Sequence, residues 1–333
     1  MNTFGQLFRV SVFGESHGAC AGITVDGVPA GIPFTTEDMI ADLQRRQGGN
    51  MQGTTPRKES DIPKIISGVF NDKTTGAPLT IIFENNNIDS SVYEKQRAIP
   101  RPGHADFVAE QKFGGHQDYR GSGHFSARLT VGIVAAGVLA KKIIAPVTVS
   151  VHVTEVDGEN DIETGIKKAV AENDSVGALV ECNVTNVPVG LGEPFFDSIE
   201  SVLSHAMFSI PAVKGVEFGA GFAAARMRGS KHNDAIISSD GKTKTNHAGG
   251  ITGGITNGND IVFRLAFKPA SSTPKEQTSM NMQTQQLESF SLDGRHDLCV
   301  ALRAPAIVEA LTAIVLTDAM LLAQFSKRVA TDF

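Results

Sequence analysis

Strand-like and helix-like stretches are interleaved along this chain, but no βαβ unit repeats and no Gly-x-Gly-x-x-Gly follows a strand. A doubly wound parallel sheet needs that repeat, because a crossover helix must join each strand to the next. What remains is a mixed architecture, α/β or α+β. Neither a composition shift nor a linker divides residues 1–333, so one large domain is expected. The content is 41% hydrophobic and 20% charged over 333 residues, enough apolar side chain for a large core.

Residues 7–13 read as a strand that delivers Gly14-Glu15-Ser16-His17-Gly18, and 23–25 as a short strand before the turn pair Asp26-Gly27. Thr35-Thr36-Glu37-Asp38 opens a helix with a capping-box pattern, and Met39, Ile40 and Leu43 form its apolar face. That helix ends at Arg45-Arg46, with Gly48-Gly49 as its stop. Residues 49–61 form a polar loop carrying Arg57 and Lys58, and strands follow at 65–70 and 79–83. The stretch 129–144 reads as a helix of Ala, Val and Gly. Its apolar run at 131–140 is about half the ~20 residues of a membrane span, so it belongs in a core.

Further on, 146–153 is a strand and 161–172 an amphipathic helix. Residues 176–184 alternate apolar and polar, as a half-buried strand does. A helix is expected with Phe196, Ile199, Val202, Leu203, Ala206 and Met207 on its apolar face, then a Gly/Ala-rich strand region at 216–227. The segment 228–260 is long, polar and dense in glycine, a combination that favours a functional loop. A strand at 261–267 and a long helix at 307–325 complete the pattern.

The chemistry concentrates in residues 101–128, which hold three of the nine histidines, three arginines and five glycines. Groups that move protons and bind anions stand there beside glycines that let a backbone approach a ligand. Arg101-Pro-Gly-His104-Ala-Asp106 puts a cation, an imidazole and a carboxylate within six residues, and Arg295-His296-Asp297 repeats the set. With His17 and Lys268-Pro269-Ala270-Ser271-Ser272 they describe a site for a multiply anionic ligand, since arginine forks match carboxylate and phosphate. Proton transfer or elimination on a phosphorylated or carboxylated small molecule follows from these side chains. Two other readings compete. Gly14-x-Ser16-x-Gly18 has the spacing of a nucleophile elbow, but the sequence after it continues as strand rather than helix. His104-x-Asp106 and His116-x-Asp118 would suit a divalent metal in a phosphate-ester hydrolase.

The net charge of −6 supplies no overall basic field for nucleic acid or an anionic membrane, so anions must be held locally. Cys20, Cys182 and Cys299 are far apart with no Cys-x-x-Cys spacing, as expected of reduced thiols in a cytoplasmic protein. Residues 1–18 show no basic segment followed by an apolar one, so no signal peptide is expected there.

In its ordered blocks the chain resembles the chorismate synthase family over nearly its whole length. The blocks are Gly14-Glu-Ser-His-Gly18 with Asp26-Gly-Val-Pro29; Arg101-Pro-Gly-His-Ala-Asp106 with Asp118-Tyr-Arg-Gly-Ser-Gly123 and Ser126-Ala-Arg128; and Gly294-Arg-His-Asp297. Val213-Lys-Gly-Val-Glu217, Asn246-His-Ala-Gly-Gly250 and Phe267-Lys-Pro269 lie between them. The resemblance implies a β-α-β sandwich with helices between two antiparallel sheets, assembled as a homotetramer. It implies 1,4-anti elimination of phosphate from 5-enolpyruvylshikimate-3-phosphate, the last step of the shikimate pathway. Reduced FMN is the implied cofactor, with NADPH only where the enzyme reduces its own flavin.

The resemblance also implies roles for individual residues. His17 would protonate the reduced flavin, His104 would assist phosphate departure, and Asp297 would act with the flavin N5 on the substrate proton. FMN would contact His124, Phe125 and Ser126, then Pro211, Ala212 and Gly253, then Lys268, Pro269, Ala270, Ser271 and Ser272, and Arg295. Arg46, Arg57, Arg101 and Arg128 would clamp the substrate, with Arg46 also near any NADPH. This chain departs from the common family pattern at His124-Phe125, in a longer Gly114-Gly115-His116-Gln117, and at Pro211, Leu298, Gln47 and Gln52.

Overall fold

A computed structural model describes residues 2–48, 52–55, 59–88, 90, 93, 97–292 and 297–325. The strands of its first part are Thr3–Phe4 (β1), Arg9–Gly14 (β2), Cys20–Asp26 (β3), Lys64–Ser67 (β4), Val69–Phe70 (β5), Lys73–Thr74 (β6) and Leu79–Glu84 (β7). Five of them form an antiparallel sheet in the order β1-β2-β3-β7-β4. The second part holds Thr148–Val156 (β8), Ala178–Thr185 (β9), Val213–Phe218 (β10), Ile251–Thr252 (β11), Ile255–Thr256 (β12), Ile261–Phe267 (β13), Gln277–Asn281 (β14) and Gln286–Phe290 (β15). Here the order β10-β13-β9-β8 makes a second antiparallel sheet, and β11-β12 and β14-β15 are separate hairpins.

Alternation explains both sheets. In β3, Ala21, Ile23 and Val25 are buried, and the register sets Ile23 opposite Ile81 of β7. In β9 and β13 the buried residues Val180 and Cys182 lie opposite Leu265 and Phe263. Each sheet therefore turns one apolar face inward, and each large side chain so buried contributes about 1.5–3 kcal/mol.

The helices are Glu37–Arg46 (α1), Asp106–Phe113 (α2), Thr130–Ile144 (α3), Ile162–Glu172 (α4), Ile199–Met207 (α5), Gly229–His232 (α6) and Pro305–Phe325 (α7). Two fill the space between the sheets: α3 packs on β3 and β7, α7 packs on β8 and β9, and the two pack on each other. The expected sandwich of sheet, helices and sheet is what is observed. By length and composition α7 could cross a membrane, yet most of its apolar stretch is buried in this core. The close approach of the two helices depends on a missing side chain, because a Cβ on Gly137 would stand 2.2 Å from the Cβ of Ala310.

The structure corrects several expected elements. Residues 65–70 divide at Gly68 (φ 89°) into β4 and β5. Phe196 is not on a helix face. Ser198 caps α5, its Oγ accepting from the Ser201 amide, and Phe196 is 92% exposed in the turn before it. The strand expected at 216–227 ends at Phe218, because Gly219 and Gly221 take φ of 53° and 52°, where only glycine is comfortable.

Candidate active site

The sandwich brings distant loops to one cavity of about 790 Å³. Arg46 comes from the C-terminal end of α1, and Arg101, His104 and Ala105 from the loop before α2. The turn into α3 brings His124, Phe125, Ser126 and Arg128. Pro211 and Ala212 precede β10, Lys268 to Ser272 follow β13, and Asp297 precedes α7. All of these residues line the cavity.

Two expected residues stand off its wall. His17 lies just behind Ser16, which does line it; the His17 Nδ1 is 2.9 Å from Ser90 Oγ and its ring meets Tyr93 edge-on. Gly253 sits in the β11–β12 hairpin and does not reach the cavity. Arg57 and Arg295 lie outside the described residues.

Arg45 and Arg46, adjacent in sequence, diverge completely. Arg45 reaches Glu309 of α7 with both terminal nitrogens, while Arg46 turns inward and is only 3% exposed. Arg46 donates to Asp61 Oδ2 at 2.6 Å, and Arg128 pairs with Asp61 Oδ1. Burial alone would raise the Asp61 carboxyl, but the Arg46 and Arg128 guanidinia hold it below the usual carboxylate range. Burial pushes Arg46 down to about 10, which leaves it charged near neutral pH. Arg128 also donates through Nε to Asn85 Oδ1 at 2.9 Å.

A second cluster surrounds His104. Arg101 grips Asp106 with Nε and one terminal nitrogen, both at 2.7 Å, and its other terminal nitrogen reaches Ser272 Oγ at 3.2 Å. His104 Nδ1 is 2.7 Å from Asp106 Oδ1 and its Nε2 is 3.4 Å from Ser122 Oγ. Burial works against ionisation of Asp106, but Arg101 and His104 outweigh it and hold the carboxyl well below the usual range. Lys268 Nζ and Ser271 Oγ both donate to the Gly103 carbonyl, which fixes the backbone immediately before His104. Across the cavity, Asp297 accepts from the Thr55 amide at 2.8 Å and from Arg303 at 3.0 Å.

Among the described residues no group of three His, Cys, Asp or Glu side chains is placed to hold a metal. Asp118, one of the four ligands a metal hydrolase would use, is instead bidentate on Arg120. Sequence reasoning passed over Asp61, Ser122 and Arg303. Their partners are 15 or more residues away for Asp61 and Ser122, and local pattern does not register such pairs.

Guanidinium groups around an imidazole and two carboxylates suit an enzyme that binds a multiply anionic small molecule and moves protons on it. Known proteins narrow this class. The family model for chorismate synthase matches residues 8–321. A chorismate synthase of Chitinophaga pinensis is 63% identical over 330 residues, covering 99% of both chains. One from Dehalococcoides mccartyi is 45% identical over 359 residues, covering 98% of this chain and 99% of its own. A crystal structure of chorismate synthase superposes with a TM-score of 0.74 at 27% identity, over 96% of this chain and 93% of that one. The chain belongs to the chorismate synthase family, lyases of aromatic amino acid biosynthesis that act at the last step of the shikimate pathway.

Proposed function

We propose that this protein carries out its family's reaction, the 1,4-anti elimination of phosphate and a proton from 5-enolpyruvylshikimate-3-phosphate to give chorismate, with reduced FMN bound beside the substrate. One observation carries this reading: Arg46, Arg101, Arg128, His104 and Asp297, distant in sequence, meet on one cavity.

The residues present fit the flavin. The cavity volume lies within the roughly 300–1,000 Å³ of ligand pockets. His124 and Phe125 stack at 4.5 Å between centroids and offer a flat surface to an aromatic ring system. Lys268 Nζ with the Ser271 and Ser272 hydroxyls would hold a phosphate. Among the described residues, buried Ser16 Oγ and Arg46 Nε have no hydrogen-bond partner, so both can donate to a ligand. When bound, reduced FMN supplies an electron-rich ring beside the breaking C–O bond.

The protein's own residues do the rest. Arg46, Arg101 and Arg128 hold the carboxylates and phosphate, and charge leaving with the phosphate falls among preplaced cations. His104 gives its proton to the departing phosphate oxygen, which takes the electron pair of the C–O bond. Asp297, steadied by Thr55 and Arg303, receives the substrate proton, and the C–H electron pair enters the new double bond. His17, beside Ser16 and 2.9 Å from Ser90 Oγ, would be a further proton source.

The proposal takes residues 1–333 as one domain, in the cytoplasm, with no nucleic acid or membrane partner. A homotetramer would cover the exposed Phe195, Phe196 and Phe222, and a flavin contact at Gly253 would then come from a neighbouring copy. NADPH is required only if the protein reduces its own flavin.

The test is anaerobic turnover with photoreduced FMN, run beside NADPH plus FMN. Phosphate and chorismate are expected in equal amounts in the first arm, and no phosphate release there overturns the proposal. The second arm reads out flavin reductase activity. His104→Ala should slow turnover by roughly 10²–10⁴-fold.

A further inference from the structure

Asp106 serves two masters. Its Oδ1 lies 2.7 Å from both His104 Nδ1 and an Arg101 terminal nitrogen, and its Oδ2 takes Arg101 Nε at 2.7 Å and the Arg101 amide at 3.1 Å. The same Arg101 nitrogen is 3.1 Å from His104 Nδ1. Both contacts of Nδ1 cannot be hydrogen bonds at once. A bare Nδ1 would face the carboxylate lone pair to lone pair at 2.7 Å, whereas a protonated Nδ1 donates to it and merely neighbours the guanidinium. The carboxylate therefore fixes the proton on Nδ1 and leaves Nε2, beside Ser122, as the atom that exchanges a proton with a ligand.

We propose that Asp106 is the positioning residue for His104, holding its tautomer and offsetting the Arg101 charge so that the imidazole can be protonated beside a guanidinium. The proposal rests on the reading of His104 as proton donor to the departing phosphate. A cation 3.1 Å away disfavours a second positive charge on His104, and a shared anion restores it. Arg101, needed to bind anions, and His104, needed as an acid, thus occupy adjacent space only because one carboxylate lies between them. Among the described residues, Lys268 is turned onto the Gly103 carbonyl, Asp118 and Arg120 pair with each other, Arg97 lies over the Tyr119 ring and Glu110 accepts from Gln117. Asp106 is also the first residue of α2, where a carboxylate stays ionised most readily.

The experiment is a histidine NMR titration of the unliganded protein, with His104→Gln used to assign the resonance, alongside kcat/KM against pH. Asp106→Asn should move the His104 titration to lower pH, because Arg101 then acts unopposed. Arg101→Gln should move it to higher pH, because Asp106 then acts alone. A general acid must be protonated, so the limb of the pH profile that falls with rising pH moves to lower pH in Asp106→Asn. A purely structural Asp106 would reduce turnover equally at every pH. It would also leave the His104 titration in place, and that result overturns the proposal. Either substitution tests it, so one misfolded variant does not end the trial. The titration needs neither flavin nor substrate, so it stands even if the protein fails the turnover assay.

Discussion

Arg46 and Asp61 meet at 2.6 Å in almost complete isolation from solvent, 3% and 1% exposed, and Asp61 holds Arg128 with its other oxygen. One buried carboxylate thus fixes two of the guanidinia that face the cavity.

Removing that charge leaves two buried cations with no counter-ion between them. Asp61→Asn should destabilise the fold by about 3–5 kcal/mol, the usual cost of breaking a buried ion pair from one side. Urea unfolding measures it. A loss below about 1 kcal/mol would show that both guanidinia find water or other partners.

The same carboxylates predict acid behaviour. Asp61 and Asp106 are both held below the ordinary value of 3.8, so the folded state binds fewer protons than the unfolded chain as pH falls. Their stabilisation is complete above the unfolded value and is lost as pH drops through the folded values. Tm should stay level from pH 7 to 5 on their account and decline below about pH 4. Asp61→Asn should flatten part of that decline, and a decline unchanged in this variant would assign it to other groups.

The contact of α3 with α7 has no room to spare. Gly137→Val should force the helices apart and cost about 1–3 kcal/mol or more, as overpacking does. Pairing Gly137→Ala with Ala310→Gly moves the methyl across the interface and should restore much of the loss of Gly137→Ala alone. Thermal unfolding of the three variants decides it, and equal Tm values would mean that the crossing is loose.

Lys268 is lowered in pKa first by burial and then by the neighbouring Lys214, as expected of a cation held ready for an anion. If it holds the flavin phosphate, Lys268→Ala should weaken FMN binding by roughly 10–100-fold, the worth of a charge-assisted hydrogen bond. Flavin fluorescence titration gives the Kd directly, and an unaltered Kd would remove Lys268 from the flavin site.

The sheets were legible because burial on one face writes itself into the sequence. The strand expected at 261–267 is β13 residue for residue, and the alternation at 176–184 overlaps all but the last residue of β9, which starts two residues later. The β14–β15 hairpin left no such mark. Its strands are mostly polar, and of the apolar side chains they carry Leu287 is 70% and Met280 42% exposed. At the site, histidines and arginines announced themselves by type and clustering. Asp61 did not, because its importance comes from Arg46 and Arg128, which are joined to it only by the fold. Motif reading finds groups that touch ligands more readily than groups that hold them.

The central place of α7 bears on how the chain is made. Synthesis proceeds from the N-terminus, so α3 and both sheets leave the ribosome before the helix that covers them. Until residues 305–325 emerge, the inner face of the second sheet and one side of α3 lack the apolar partner that α7 gives them, and such surface favours aggregation. The final closure of the core thus waits for a late segment and joins parts far apart along the chain. A nascent chain stalled before residue 305 should bind holdase chaperones strongly, and release through α7 should end that binding.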